Sequence, residues 1–330
     1  MGKHVLVTGG AGFIGHHVVE YLLRNTDWKV TSLDRLDTSG NLNRLADLAI
    51  WGTEKRRVSV VFHDLKAEIN SQLAAQLGNP DIILHLAAGT HVDRSIVDPL
   101  AFVMDNVVGT TNLLNYSRSL SRLERFVYFS TDEVFGPAPE GVRYGEWDRY
   151  HSGNPYAASK AGAEEMALAF QNTYKLPISV THTMNVFGER QHPEKFIPKT
   201  IRKILDGEKV LIHSDRTKTK AGTRFYIHAK DVADALFFLI SRAKDGEKYN
   251  IVGEREVSNL ELAREIACVL DMELVHEMVD FHSSRPGHDL RYALSGDLME
   301  KAGWKPGLSF KDNLAKTVLW TVSNKRWLLG

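Results

Sequence analysis

Thr8-Gly9-Gly10-Ala11-Gly12-Phe13-Ile14-Gly15 follows directly on the apolar run Val5-Leu6-Val7 and leads straight into an amphipathic segment of helical period. Read outward from its glycines, the stretch is a strand, a tight turn and a helix N-terminus. Gly9 and Gly10 permit a turn with dihedrals that other residues avoid. Gly12 lets a ligand approach the main chain, and Gly15 lets the helix lie close on the strand. The helix N-terminus adds unpaired N–H groups and a positive dipole end, a site for phosphate. Other α/β proteins also have glycine-rich turns, so the next strand matters. Val30-Thr31-Ser32-Leu33 ends in Asp34, 19 residues after Gly15. An acidic side chain there can take both ribose hydroxyls of an adenosine. A carboxylate repels a 2′-phosphate, which points to NAD as cofactor, while Arg35 beside it keeps NADP open.

The composition agrees with an enzyme-sized α/β chain. With 330 residues, 43% of them hydrophobic, there is enough to build one large or two modest cores. Lys plus Arg and Asp plus Glu number 41 each, so no net field recruits nucleic acid or an anionic membrane. The single cysteine, Cys268, cannot form an internal disulfide and is expected in the core of a helix, as in a reducing compartment. No apolar run is long enough to span a membrane, and the N-terminus enters a strand at once. A cytoplasmic location is expected.

Strand and helix periods alternate along the chain. Apolar runs at Val5–Val7, Val30–Leu33, Val58–Phe62, Ile82–Leu86, Phe126–Phe129 and Ile178–Thr181 are separated by helix-length segments. That alternation predicts a Rossmann-type, doubly wound parallel sheet. After about residue 185 it loosens into a helix near Pro198–Leu205, a basic loop over Ser214–Arg224, a strand at Phe225–His228, and helices near Val232–Arg242 and Asn259–Leu270. The expected division is a dinucleotide-binding domain over 1–185 with about 226–250, and a smaller α/β substrate domain over about 186–225 with 251–330. Substrate would lie in the crevice between them, beyond the carboxyl ends of the strands.

Tyr156-Ala157-Ala158-Ser159-Lys160 opens a helix after Asn154-Pro155, and the i, i+4 spacing puts phenol and ammonium on one face. An adjacent ammonium is expected to lower the Tyr156 pKa toward neutrality, making a base. Tyr226 and Lys230 share the spacing, but on and just beyond a strand, and are read as structural. Ser130-Thr131-Asp132-Glu133 ends the Phe126–Phe129 strand and so faces the crevice. Its carboxyls either do acid–base work or merely cap the next turn.

Thr8–Gly15, Leu86-Ala87-Ala88, the Thr131/Tyr156/Lys160 set and Asn185-Val186-Phe187-Gly188 resemble the extended short-chain dehydrogenase/reductases. Within them, four further stretches resemble the nucleotide-sugar 4,6-dehydratases that act on dTDP-glucose. These are His91-Val92-Asp93-Arg94-Ser95-Ile96, Ser130–Gly136, Pro193-Glu194-Lys195-Phe196-Ile197-Pro198 and Arg285-Pro286-Gly287-His288-Asp289. The resemblance implies a cofactor site of Gly9, Gly12, Phe13, Ile14, Gly15, Asp34, Arg35, Asp64, Leu65, Leu86, Ala87, Ala88, Asn106, Tyr156 and Lys160. Asp64 would contact adenine, with a helix N-cap as the alternative. For the substrate it implies His91, Asp93, Asn185, Glu194, Lys195, Phe196, Arg224, Arg285 and His288, the two arginines gripping a diphosphate. A surface salt bridge is the alternative for several of these. No clustered His/Cys/carboxylate spacing calls for a metal.

The chain departs from that pattern at Gly89-Thr90, where Glu-Ser is usual, in the longer basic loop Ser214–Thr223, and at Arg255, where Asn is usual. The implied reaction takes an NDP-hexose, dTDP-glucose first and UDP- or GDP-linked hexoses next, to the 4-keto-6-deoxy sugar. Tyr156 with Thr131 and Lys160 would serve oxidation at C4, Glu133 would take the C5 proton, and protonated Asp132 would release the C6 hydroxyl. A 4-epimerase or decarboxylase is the alternative within the fold, and a non-catalytic dinucleotide sensor the alternative outside it. A homodimer through Leu100–Leu120 and Pro155–Tyr174 is expected, its face drawn from Phe102, Leu113, Leu114, Met166 and Phe170.

Overall fold

A computed structural model describes residues 2–37, 39–280, 290–307 and 309–329. Seven strands form one wholly parallel sheet: β1 (His4–Thr8), β2 (Lys29–Asp34), β3 (Val58–Phe62), β4 (Ile82–His85), β5 (Arg125–Thr131), β6 (Ile178–Thr183) and β10 (Lys248–Ile251). Their order is β10-β6-β5-β4-β1-β2-β3, which reverses direction between β1 and β4. A crevice opens beyond the carboxyl ends at such a reversal. The central strands read as apolar runs because both faces are covered: Val5, Leu6, Val7, Ile82, Ile83 and Leu84 are all buried.

The helices are α1 (Phe13–Asn25), α2 (Asn43–Ala46), α3 (Trp51–Glu54), α4 (Ser71–Leu77), α5 (Val92–Val97), α6 (Pro99–Phe102), α7 (Gly109–Ser117), α8 (Pro155–Tyr174), α9 (Phe196–Leu205), α10 (Ala229–Arg242) and α11 (Asn259–Leu270). A π turn over Val103–Val108 joins α6 to α7. On one face of the sheet, Val18, Val19, Leu22 and Leu23 of α1 pack with Val232, Leu236 and Leu239 of α10. On the other, Leu113 and Leu114 of α7 pack with Ala163, Ala167 and Phe170 of α8. Each fully buried Leu or Val contributes about 1.5–3 kcal/mol, so these layers hold the crevice walls rigid.

A second lobe carries β7 (Asn185–Phe187), β9 (Thr223–His228) and β11 (Glu256–Ser258) in one small sheet and β8 (Val210–Ser214) with β12 (His276–Asp280) in another. Its core joins α9, α11 and the helix Phe310–Ser323 through Ile201, Ile266, Leu314 and Val318. Residues 226–228 belong to β9 and pair with β7, while the Ile227 side chain is buried in the same core as α1 and α10, so this segment bridges the two sheets. The chain rejoins the first domain at α10 and β10, and Met299 and Trp304 later return to the same core.

Two expectations are corrected. Cys268 is exposed: the buried stripe of α11 is Leu262, Ala263, Ile266 and Ala267, and Cys268 falls on the side of exposed Arg264. The apolar residues assigned to a dimer face are largely spent inside the chain, since Phe102, Leu113, Leu114 and Phe170 are buried and Met166 packs against that core. Among the described residues, the exposed apolar side chains there include Ile96, Val97, Leu100, Val103, Met104 and Tyr174. Among the described residues, no helix is long and apolar enough to cross a membrane.

Candidate active site

A cavity of about 610 Å³ runs along the carboxyl edge of the sheet, from the glycine turn at one end to α9 at the other. At the first end, Gly9 has φ 71°, in the left-handed region that favours glycine. A Cβ on Gly15 would collide with the Gly9 carbonyl oxygen, and one on Gly12 would lie 2.9 Å from it. The turn therefore closes only with glycines. Helix α1 starts at Gly12 with no side-chain cap and no acidic residue in its first turn, leaving its N–H groups for a ligand.

Asp34 is buried at the end of β2, where it accepts hydrogen bonds from the Ala11 N–H at 3.2 Å and the Leu36 N–H at 2.8 Å. Burial still holds its carboxyl above the usual range. Arg35 is locked by carboxylates: two hydrogen bonds to Asp105 at 2.6 and 2.8 Å, Asp37 at 2.5 Å and Asp64 at 3.8 Å. A guanidinium so neutralised has little charge left for a 2′-phosphate, so the adenosine end fits NAD. Asp64 caps no helix. It accepts from the Lys66 N–H at 3.0 Å and pairs with the Lys66 ammonium at 3.2 Å, while α4 is capped by Asn70.

Gly9, Gly12, Phe13, Ile14, Gly15, Asp34, Arg35, Asp64, Leu65, Leu86, Ala87 and Ala88 all line the cavity. Asn106 lies behind the wall. Its amide accepts from the Gly89 N–H at 2.8 Å, donates to the Gly89 carbonyl at 3.1 Å, and reaches Ser159 at 2.8 Å, so it fixes the loop and not the ligand.

In mid-cavity, Thr131, Asp132, Glu133, Tyr156 and Lys160 converge from β5 and α8. The chain turns after β5 because the Thr131 hydroxyl caps the short turn Asp132–Phe135, accepting from the Glu133 N–H at 3.4 Å. The cap is thus Thr131, which frees both carboxyls from that role. Helix α8 starts at Asn154, whose side chain accepts from the Ala157 N–H at 2.8 Å, with Pro155 in its first turn. Asn154 also donates to Glu133 at 3.2 Å, joining the two segments.

Burial pushes the Asp132 carboxyl up to about 7. Glu133 adds to the shift, and Arg224 and a hydrogen bond from Thr131 oppose it. The second oxygen of Asp132 is buried without a hydrogen-bond partner. The Tyr156 phenol is hydrogen-bonded to Thr131 and held above its ordinary range, first by burial and then by Glu133. This reverses the lowering expected from Lys160. The Lys160 ammonium instead donates to the Phe129 carbonyl at 2.6 Å and lies 4.3 Å from the Tyr128 ring centre. Burial pulls its pKa down to about 7, with Glu164 pulling back.

At the far end, His91, Asn185, Glu194, Lys195 and Phe196 line the cavity, with the His91 imidazole 3.4 Å from Glu194. Asp93 sits on α5 beside His91, outside the lining. Arg224 is also outside it. Its guanidinium donates to the Thr223 and Leu290 carbonyls at 2.7 Å and lies 4.6 Å from the Tyr292 ring centre, and its charge acts on Asp132. Arg285 and His288 lie outside the described residues. Arg255 pairs with Glu261 and Glu265 and stacks on Phe310, a structural role. Asp105, Phe102 and Arg44 line the cavity without any local sequence signal for it.

Residues 5–252 match the model of the NAD dependent epimerase/dehydratase family. The chain is 37% identical to a dTDP-glucose 4,6-dehydratase of Shigella flexneri, over 98% of this chain and 94% of that protein. DesIV, a dTDP-glucose 4,6-dehydratase from Streptomyces venezuelae solved with NAD bound, superposes with a TM-score of 0.89 at 35% identity, covering 99% of both chains. The UDP-glucose 4-epimerase of Thermus thermophilus, also solved with NAD, gives 0.86 at 29% identity over 96% of this chain and 98% of that one. The glycine cradle, the buried Asp34 carboxylate and the neutralised Arg35 fit NAD, with which both solved structures were obtained, and the chain belongs to the NAD-dependent epimerase/dehydratase family.

Proposed function

We propose that this chain is an NAD-dependent nucleotide-sugar 4,6-dehydratase, with dTDP-glucose as the first substrate to test. The observation that carries the reading is the convergence of Asp132 and Glu133 with Thr131, Tyr156 and Lys160 in one cavity, Asp132 being pushed up to about 7. An epimerase needs no proton donor at C6. Relatives bearing the dehydratase name match over nearly the full chain.

Bound NAD would be held by Gly9, Gly12, Gly15 and Asp34 and would supply hydride acceptor and donor chemistry to the sugar at C4 and C6. Tyr156 takes the C4 hydroxyl proton, with Thr131 hydrogen-bonded to the same centre. Because burial and Glu133 keep the phenol protonated here, the base forms only when positive charge enters the cavity. Lys160 stands one helical turn further along α8 to hold it. The 4-ketone acidifies C5–H, which Glu133 removes, its carboxylate oriented by Asn154. Asp132, raised to about 7 and so partly protonated at neutrality, gives its proton to the C6 hydroxyl, which leaves as water. As C6 is reduced, Glu133 returns its proton to C5, and the proton taken by Tyr156 passes to solvent while Asp132 regains one. His91, Asn185, Glu194, Lys195 and Phe196 hold the nucleotide sugar at the far end. The enzyme works in the cytoplasm as a homodimer, supported by the exposed Val97, Leu100, Val103 and Met104 along one edge.

Incubation of the purified protein with dTDP-glucose, UDP-glucose, UDP-GlcNAc, UDP-glucuronic acid and GDP-linked sugars tests this by mass, with C4 configuration read by NMR. The expected product has lost one water. A product of unchanged mass with inverted C4 would make the chain an epimerase, and loss of carbon dioxide from a uronic acid a decarboxylase.

A further inference from the structure

We propose that Arg44 is a second anchor for the pyrophosphate of the bound dinucleotide, set beside the glycine cradle by α2. The proposal rests on the NAD reading of the cavity. Arg44 is only 4% exposed, yet its side chain forms part of the cavity wall. Three backbone carbonyls fix the guanidinium: Nη1 donates to Ala11 at 3.3 Å and Ser39 at 2.6 Å, and Nε donates to Arg190 at 3.1 Å. Ala11 belongs to the glycine turn itself, so the charge stands at the mouth of the cradle. Among the described residues, Nη2 donates to no protein acceptor and Arg44 makes no salt bridge.

A buried guanidinium held only by neutral carbonyls is costly unless an anion joins it. Asp34, whose charge acts on it, already receives the Ala11 and Leu36 N–H groups and is assigned to a ribose. The remaining anion of a dinucleotide is its pyrophosphate. The α1 N-terminus offers N–H groups to that anion, and Arg44 adds a full charge in a planar, donor-rich form. The same side chain lies 5.5 Å from the Trp327 ring centre and bonds the Arg190 carbonyl, so the anchor also touches two segments that follow the parallel sheet strand β6.

Calorimetric titration of the nucleotide-stripped full chain with NAD, ADP and adenosine tests this in wild type, Arg44→Met and Arg44→Lys. Arg44→Met should weaken NAD and ADP about tenfold or more, the value of one charge-assisted phosphate contact, and adenosine by less than about twofold. Arg44→Lys should recover most of the loss. Equal weakening of adenosine and ADP would mean that Arg44 only shapes the loop, and unchanged NAD affinity would mean that it touches no phosphate; either overturns the proposal. Should Arg44→Met fail to fold, Arg44→Gln takes its place, where a loss for ADP that exceeds the loss for adenosine supports the charge contact and a loss shared equally with adenosine, or no loss at all, refutes it. Wild type that binds no NAD would defeat the cofactor reading instead.

Discussion

Asp132 should make the native protein less stable as pH rises, and Asp132→Asn should remove that cost. Its carboxyl moves from 3.8 to about 7 on folding, chiefly by burial. Between those values the unfolded chain gives up a proton that the folded chain keeps, so stability falls as pH climbs from about 4 to about 7 and stays low above. Three units at about 1.4 kcal/mol each give about 4 kcal/mol at full effect. Asparagine has the same shape and no proton to lose. Wild type and Asp132→Asn should thus differ by about 2 kcal/mol near pH 5 and about 4 kcal/mol near pH 8, with the variant the more stable. Urea unfolding at both pH values, followed by tryptophan fluorescence, measures the gap. A gap of the same size at both, or a variant less stable near pH 8, would refute the argument that buried Asp132 is held protonated. In activity, Asp132→Asn should slow water loss by about 10²-fold or more while C5–H still exchanges with heavy water, because Glu133 remains.

Glu133→Gln should abolish that C5 exchange and reduce dehydration by about 10²-fold, leaving a 4-keto sugar that keeps its C6 oxygen. Tyr156→Phe should yield no keto sugar at all, as mass analysis of borodeuteride-trapped single turnovers would reveal; dehydration by Glu133→Gln at the wild-type rate would move the base elsewhere. Gly15→Ala places a methyl against the Gly9 carbonyl and within 2.8 Å of Gly10 Cα. It should purify without NAD, and full occupancy by NAD in the variant would refute the cradle as drawn.

Much of the fold and half of the site could be read along the chain, and the reasons are local. The apolar runs became β1, β2, β4, β5 and β6 because strands covered on both faces must be apolar throughout, whereas the edge strand β3 leaves Val60 and Phe62 exposed. Asn259–Leu270 became α11 with those limits, since Ser258 caps it and its buried stripe has helical spacing. The glycine turn needed only dihedral freedom and close approach. By contrast, β7 and β11 are three residues each, too short to carry a period, and they exist because β9 pairs with both.

The sequence by itself determined the dinucleotide cradle, the order of strand and helix, and the presence of Thr131, Asp132, Glu133, Tyr156 and Lys160 near a strand end and a helix start. Each follows from neighbours in the chain, through backbone freedom, period or capping. Only the tertiary structure decided the electrostatics. Asp105 reaches Arg35 across 70 positions and balances its charge, Phe129 takes the Lys160 ammonium, and Arg224 acts on Asp132 through its charge. It also decided which face of α11 Cys268 occupies and that Phe102 and Leu113 are core. Burial and charge are sums over every element packed around a group, and no window along the chain contains those terms.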